Sequence, residues 1–230
     1  MNIFMVLYTN VNGTPAYSAE AGYSPAWVDR LVAGIERNSI QRNNFYCLVD
    51  NENYQFRENV KPILLSSVGK KIEGWSPMME CFRPEICSGR RMVFGLDTII
   101  TGSIEHILNW ENEGECGLLD DPFTKGEICN GIGIYDESIV NRFWHMWTER
   151  DRLFAKNDLM YNGAISEMAF LRIVAREATR LNRIFPEEIQ SYKAHWRVNK
   201  QKRRNARIVY FHGNPKPPHV ERELLEDWGV

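Results

Sequence analysis

The chain has 230 residues, which is long enough for one domain with a substantial core. Hydrophobic residues make up 43% of it and charged residues 25%, values that exclude a disordered or disulfide-rich protein. The formal net charge of -2 gives no overall attraction to nucleic acid or to an anionic membrane.

The first predicted elements are a strand, a helix and a second strand. Ile3 to Tyr8 is a continuous apolar run of strand length. Further along, Ser24 stands as a helix N-cap, Pro25 takes the first helical position, and apolar residues then recur at helical spacing. Phe45 to Asp50 is a second short apolar run. This order is typical of α/β folds with parallel strands.

The next elements lead to a candidate ligand residue. Pro62 to Leu65 predicts a third strand, and Met79 to Phe82 predicts a short helix that ends before Pro84. The apolar run Arg91 to Gly95 predicts a strand that leads directly into Asp97. Ligands of open α/β sheets collect beyond the carboxyl ends of the strands, and Asp97 is expected to lie at such an end.

The second half alternates loops, strands and helices. Its glycine and prolines make the last segment, HGNPKPP, an irregular but defined loop. The predicted elements are a loop at Asp120 to Pro122, a strand at Gly131 to Tyr135, helices at Glu137 to Thr148 and at Ser166 to Arg176, and a strand at Ile208 to Phe211.

Three residues in these positions carry chemistry. Imidazole binds divalent metal ions, so His212 at the end of the last strand is a candidate ligand beside Asp97. Lys216 stands between two prolines and offers a compact charge for a phosphate. Taken singly, Asp97 also fits a turn or cap aspartate, His212 a structural histidine and Lys216 a solvated lysine. Their combination favours a metal and phosphate site.

At these residues the sequence resembles the family 8 glycosyltransferases, which include glycogenin, bacterial lipooligosaccharide galactosyltransferases and small phage and bacterial relatives. The family's aspartate-x-aspartate followed by a small-residue turn resembles Gly95-Leu96-Asp97 and Thr101-Gly102-Ser103. Its histidine-x-x-glycine-x-x-lysine-proline signature resembles, in shortened form, the stretch from His212 to Pro217. CNGIGIY from Cys129 is similar to its asparagine-bearing strand, and AGYSPAWVDRL from Ala21 to its tyrosine-bearing loop.

The resemblance implies an α/β protein of the Rossmann-like GT-A fold, an open twisted mixed sheet flanked by helices. It implies a single domain over 1–230. Within that domain, 1–103 would form the nucleotide-binding half, 104–219 the donor-sugar and acceptor half, and 220–230 an acidic C-terminal tail.

The resemblance also implies an activity, the transfer of a sugar from a nucleotide-sugar, here taken as a UDP-sugar, to an acceptor hydroxyl with retained anomeric configuration. Asp97 and His212 would hold Mn²⁺ or Mg²⁺, and Lys216 would stabilise the departing diphosphate. Glu167 would stabilise the oxocarbenium-like centre or act briefly as nucleophile; alternatively it caps the first turn of its own helix. Asn130 and Asp121 would bond to hydroxyls of the donor sugar, and Tyr8, Thr9 and Tyr23 would form the nucleoside pocket. The other donor-facing residues would be Gly95, Lys193 and Gly213.

The sequence departs from the family pattern at three places. The basic residue that the family often carries in the helix before the strand leading to Asp97 falls near Pro77-Met78, so Arg83, Arg90 or Arg91 would have to substitute for it. Gly95 replaces the first aspartate, which removes one carboxylate from the metal or ribose site. Ser166-Glu167 stands where the family often has an aspartate-glutamine pair.

A basic segment, 197–207, contains six lysines and arginines and no acid, and is followed by the acidic tail. It fits a solvated loop. It also fits an acceptor platform on which Tyr192 and Trp196 stack a base while the cations contact phosphates, as in nucleic-acid binding. The acceptor is therefore left open between a saccharide, a protein and a hydroxymethylated base in phage DNA, which would have to be flipped out.

Two other functions are compatible with the same residues. One is a catalytically inactive module that binds a nucleotide-sugar or a nucleic acid. The other is a nucleotidyltransferase, which should have a basic glycine-rich loop after the first strand; TNVNGTPAYS has one glycine and no basic residue, which argues against it.

The cysteines and the apolar runs of the chain give information on the cellular compartment of the protein. Five cysteines, none in a CxxC pair or at zinc-ligand spacing, indicate reduced thiols. The opening MNIFMVLYTN lacks the basic leader of a signal peptide, and no run is long enough to span a membrane. We expect a cytoplasmic protein, in the cytoplasm of the host if it is viral.

Overall fold

A computed structural model describes residues 1–8, 10–11, 14–15, 22–66, 74–111, 116–161 and 163–229. Thr9, one of the predicted donor residues, lies outside these ranges. The strands are β1 Asn2–Leu7, β2 Asn10–Val11, β3 Thr14–Pro15, β4 Asn44–Val49, β5 Val60–Leu64, β6 Arg91–Phe94, β7 Thr98–Ile100, β8 Cys116–Asp120, β9 Ile128–Tyr135, β10 Met160–Tyr161, β11 Ala164–Ile165, β12 Thr179–Arg180, β13 Ile189–Ser191 and β14 Ile208–Tyr210. The α-helices are α1 Pro25–Arg37, α2 Glu105–Leu108, α3 Glu137–Thr148, α4 Arg150–Leu153, α5 Glu167–Val174, α6 Leu181–Ile184 and α7 Arg222–Trp228.

A seven-stranded mixed sheet forms the centre of the protein, in the order β12, β8, β9, β6, β1, β4, β5. The predicted parallel pairing of the first two long strands is confirmed, since β1 pairs in parallel with β4 as well as with β6. Strand β9 runs antiparallel to both of its neighbours. The predicted short helix before Pro84 is a 3₁₀ helix, Ser76–Phe82.

Both faces of this sheet are covered, which explains the unbroken apolar run in β1. Alternate residues of a strand point to opposite faces. Ile3, Met5 and Leu7 accordingly belong to a buried cluster that includes the apolar stripe of α1, whereas Phe4 and Val6 belong to a second cluster that includes buried residues of α3. The apolar positions at helical spacing in α1 are its buried ones.

A smaller three-stranded sheet, β13, β14 and β7, brings two distant parts of the chain together. Strand β14 runs antiparallel to β7, with Tyr210 opposite Thr98. Asp97 directly precedes Thr98, and His212 follows Tyr210 by two residues. The antiparallel register therefore places the two predicted metal ligands at the same end of this sheet.

The segment predicted as an acidic tail contains helix α7. Its residues Leu224 and Trp228 are 0% and 2% exposed and belong to a third cluster with Trp27, Tyr192 and Trp196. Its ordering therefore depends on the burial of these apolar side chains, as is usual for a terminal helix that docks on a domain.

The basic segment is mostly exposed, as the solvated-loop prediction required, but part of it has regular structure. Residues Lys200–Asn205 form a 3₁₀ helix, and Arg203 makes ion pairs with Glu221 and Glu223 in and beside α7. Tyr192 and Trp196 are buried, so these rings cannot stack on a base as the acceptor-platform hypothesis required. That part of the prediction is wrong because the two rings form core of the protein.

Two observations bear on the predicted cellular compartment. All five cysteines are free thiols in the structure. No helix in the part of the chain that the structure describes is long and apolar enough to cross a membrane.

Candidate active site

A cavity of about 490 Å³ opens beyond the carboxyl ends of β1 and β6. The residues that follow those two strands line it together with β9, the first turn of α5 and the loop after β14. The predicted site residues in its lining are Tyr8, Tyr23, Gly95, Asp97, Asp121, Asn130, Glu167, His212, Gly213 and Lys216. Lys193 lies close by, because its Nζ is 3.6 Å from the position that a Cβ would take at Gly213.

Lys216 and Asp97 form a buried ion pair in this cavity. The Lys216 ammonium donates a hydrogen bond to Asp97 Oδ2 and another, of 2.8 Å, to the Tyr23 hydroxyl. The side chains of Lys216 and Asp97 are only 6% and 13% exposed. A buried charge needs such partners, so these bonds hold the Lys216 ammonium in the lining of the cavity, beside the Asp97 carboxylate.

His212 has the features of an available ligand. Its ring packs edge-on against Tyr210 and Phe123, with centroid distances of 4.9 and 5.5 Å. Burial lowers the pKa of His212, although the charge of Asp97 opposes the effect, so the neutral imidazole is favoured at neutral pH. Its Nε2 is buried and has no hydrogen-bond partner among the described residues.

These observations fit a metal site to which the protein contributes two ligands. The Asp97 carboxylate suits Mn²⁺ or Mg²⁺, and the unpartnered Nε2 of His212 is a nitrogen ligand that a transition ion such as Mn²⁺ accepts better than Mg²⁺ does. A Cβ at Gly95 would lie 3.1 Å from Asp97 Oδ1, so a side chain at this position would lie beside this carboxylate. In the described ranges no group of three or more His, Cys, Asp and Glu side chains could hold a metal.

Glu167 brings a buried carboxyl to the cavity. It is the first residue of α5, and Ser166 caps this helix by accepting a 3.0 Å hydrogen bond from the Met168 N–H. Asn130 Nδ2 donates to Glu167 Oε1 over 3.0 Å. Burial raises the pKa of Glu167 despite this bond and further bonds from backbone N–H groups of its own first turn. Helix capping and a position in the cavity are therefore compatible roles.

Asp121 is held by a residue that the sequence reading missed. Its Oδ1 accepts the N–H groups of Phe123 and Thr124, over 2.8 and 3.1 Å, and so fixes the loop after β8. Its Oδ2 accepts a 2.6 Å hydrogen bond from Arg172. Arg172 lies five residues after Glu167 in α5, a spacing that does not place two side chains on the same helix face, so no local pattern in the sequence indicated it.

Two exposed aromatic residues of the lining, Phe123 and Tyr161, were also not predicted. Phe123 lies in the irregular stretch between β8 and β9, and Tyr161 lies in the two-residue strand β10. Apolar periodicity gives no signal in such short segments. The roles given to the predicted site residues remain predictions; the structure brings all the described ones to this cavity or its edge.

Solved glycosyltransferases have similar structures. The galactosyltransferase LgtC, solved in complex with donor and acceptor sugar analogs, matches with a TM-score of 0.61 and 12% identity, over 100% of this chain and 92% of that chain. The apo form of the bifunctional glycosyltransferase WbbM matches with a TM-score of 0.60 and 12% identity, over 99% of this chain and 49% of its own. The apo form of GlyE from Streptococcus pneumoniae TIGR4 matches with a TM-score of 0.63 and 12% identity, over 99% and 58%.

The likeness shows the fold. The chain has the GT-A fold that the resemblance implied, over nearly its whole length. No protein-family model matches the sequence, and no curated protein sequence matches it either.

Proposed function

We propose that the protein is a glycosyltransferase that moves a sugar from a UDP-sugar to an acceptor hydroxyl. The observation that supports this most directly is the convergence of Asp97, His212, Lys216 and Glu167 on one cavity at the carboxyl ends of β1 and β6. In a GT-A fold similar to that of a galactosyltransferase, this set supplies groups for a diphosphate and for a reacting sugar.

The diphosphate would be bound by cations and a metal ion. Asp97 and His212 would hold Mn²⁺ or Mg²⁺, which when bound neutralises phosphate charge. Because Gly95 offers no ligand, Asp97 and His212 are the two ligands that the protein would supply to the ion. Lys216, held by Tyr23, and Lys193 add positive charge beside the departing phosphate. Charge accumulates there as the bond to the sugar breaks, so fixed cations stabilise the transition state more than the ground state.

The transfer breaks the bond between the anomeric carbon and the phosphate oxygen, and its electron pair stays on the diphosphate. The acceptor oxygen forms the new bond to that carbon, and its proton passes to the diphosphate. Glu167 stabilises the positive charge that develops on the anomeric carbon, or bonds to it briefly before the acceptor displaces it; we propose retention by either route. Asn130 holds this carboxyl and has a second N–H for a sugar hydroxyl.

A second candidate function is a catalytically inactive module that binds a nucleotide-sugar. Gly95 removes one carboxylate, and the remaining Asp97 is already paired with Lys216. Turnover separates the two functions, because a binding module would hold the donor without cleaving it.

The test is a panel of UDP- and GDP-sugars incubated with the protein and Mn²⁺, with release of the nucleoside diphosphate as the measurement. We expect slow release to water from one donor, and its loss in Asp97→Asn and His212→Ala. His219→Ala is the matched control, because His219 is exposed. Metal-dependent donor binding without release would indicate the inactive module, and neither binding nor release would refute both functions.

The two-ligand metal site makes a further prediction about binding order. Mn²⁺ should bind weakly to the free protein and at least about tenfold more tightly with UDP present, a coupling of about 1.4 kcal/mol. Calorimetric titration with and without UDP measures it. Tight binding by the free protein would show that a metal ligand other than Asp97 and His212 has been missed.

A further inference from the structure

Two large aromatic rings are exposed at the opening of the cavity. Phe123 is 61% exposed and Tyr161 is 40% exposed, yet both belong to the cavity lining. Aromatic side chains usually bury most of their surface, and ligand pockets are lined mainly by apolar and aromatic side chains, so exposed rings in a pocket lining are candidates for ligand contact. The catalytic groups of the proposed function do not include either ring.

The two rings are held in place by one connected set of contacts. The backbone of Phe123 is fixed by Asp121, and its ring packs edge-on against His212. Arg172 donates to Asp121 and places its guanidinium 5.3 Å from the centre of the Tyr161 ring. Rings fixed in this way lose little conformational freedom when a ligand packs on them.

The arginines beside these two rings are compensated by carboxylates, whereas Lys125 beside Phe123 is exposed. Arg172 pairs with Asp121 and lies 3.6 Å from Glu127. Asp120, next in the chain, pairs with Arg183 and Arg180. A surface that binds a polyanion needs uncompensated cations along the phosphates. The basic segment does not supply stacking rings for one, since its neighbouring aromatic residues are buried and Arg203 is engaged by Glu221.

We infer that Phe123 and Tyr161 form the acceptor subsite and that the acceptor is an uncharged saccharide. One face of a sugar ring presents C–H groups, which carry slight positive charge and pack against the negative face of an aromatic ring. The edge of the same sugar presents hydroxyls, for which Asp121 accepts and Arg172 donates hydrogen bonds. This inference rests on the proposed function, because it assigns the acceptor of the same reaction.

The experiment uses the donor identified in the release assay and asks which compounds accelerate its consumption. The saccharide probes are methyl glycosides, lactose, maltose and cellobiose. The competing probes are single- and double-stranded oligonucleotides that contain 5-hydroxymethylcytosine. We expect saturable acceleration by at least one saccharide and none by the oligonucleotides.

Substitutions that remove a ring test the subsite itself. Phe123→Leu and Tyr161→Leu should each raise the KM for the saccharide about tenfold while kcat changes little, since the ring contacts the acceptor and not the reacting atoms. Tyr161→Phe keeps the ring and should stay close to the parent. Ile184→Ala is the control, because Ile184 is 48% exposed but lies outside the cavity lining.

The outcomes are distinguishable. Transfer to the oligonucleotides, acceleration by none of the probes, or an unchanged saccharide KM in both leucine variants would overturn the inference while donor hydrolysis still supports the proposed function. Absence of donor use by the parent protein would refute the proposed function and the inference with it. Saccharide affinity measured by calorimetry with UDP and Mn²⁺ present checks the KM values independently.

Discussion

The burial of the Glu167 carboxyl in the candidate site is unfavourable for the stability of the folded protein. Glu167 is only 8% exposed. Burial raises the pKa of its carboxyl even though Asn130 and backbone N–H groups favour the ionised form. Burial of a carboxylate is unfavourable unless every oxygen is well bonded. A buried carboxyl with a perturbed pKa in a cavity is typical of a residue retained for chemistry.

Glu167→Gln should lower kcat by a factor of about 10² to 10³, because the amide cannot carry the negative charge that stabilises the reacting carbon. In the parent protein the ionised form is the active one, so kcat should fall as the pH decreases through the raised pKa of Glu167. The variant should lack this acidic limb. Profiles of kcat against pH measure both effects, with Glu177→Gln, at an exposed position, as control. An unaltered acidic limb in Glu167→Gln would assign it to another group.

The same substitution should increase stability at neutral pH. A carboxyl whose pKa is higher in the folded than in the unfolded protein keeps its proton better when folded, so stability falls as the pH rises through that interval. Glutamine removes this loss and can still accept from Asn130. The thermal midpoint of Glu167→Gln should exceed that of the parent at pH 7, and the difference should shrink under acidic conditions. Equal midpoints at pH 7 would mean that the carboxylate is better solvated than its burial indicates.

The secondary-structure elements differ in how far the sequence could predict them. Strands β1, β4 and β6 and helices α1 and α3 were predicted because burial on two faces of a strand or one face of a helix leaves an apolar pattern. The pairing of β7 with β14 joins positions more than a hundred residues apart, and no local pattern encodes such a partner. The same difference applies to the candidate site. Asp97 and His212 follow strands that an apolar pattern predicts, whereas Phe123 and Tyr161 do not.

The basic segment and α7 form a structural unit whose test is a pair of charge reversals. Arg203 is 12% exposed at its side chain, bonds to the Trp196 carbonyl and pairs with Glu221 and Glu223. Arg203→Glu should lower the free energy of unfolding by about 1 to 3 kcal/mol, because it removes these bonds and sets like charges together. Arg204→Glu, at an exposed position, should change it by less than about 0.5 kcal/mol. Chemical denaturation measures both, and equal losses would show that net charge rather than the Arg203 contacts matters.

A row of packed aromatic rings connects helix α7 to the cavity. Trp228 packs edge-on against Trp27 at 4.9 Å between ring centroids, and Trp27 packs against Tyr23 at 4.6 Å. The Tyr23 hydroxyl in turn accepts a hydrogen bond from Lys216. The C-terminal end of the chain therefore supports the lysine that we assign to the diphosphate, through a row of aromatic rings. The length and composition of the sequence predicted a substantial hydrophobic core, but they could not predict this row of aromatic contacts.

Trp228→Ala should therefore affect both stability and donor binding. Truncation of a fully buried tryptophan costs about 3 to 5 kcal/mol in unfolding free energy, through lost contacts and the cavity that remains. Tyr23 would lose its support through Trp27, so we expect the affinity for the donor, measured by calorimetry below the unfolding transition, to fall about tenfold. Arg222→Ala is the control in the same helix, since the Arg222 side chain is 91% exposed. A loss of stability with unchanged donor affinity would limit α7 to a structural role, because the cavity would then hold Lys216 without the ring contacts.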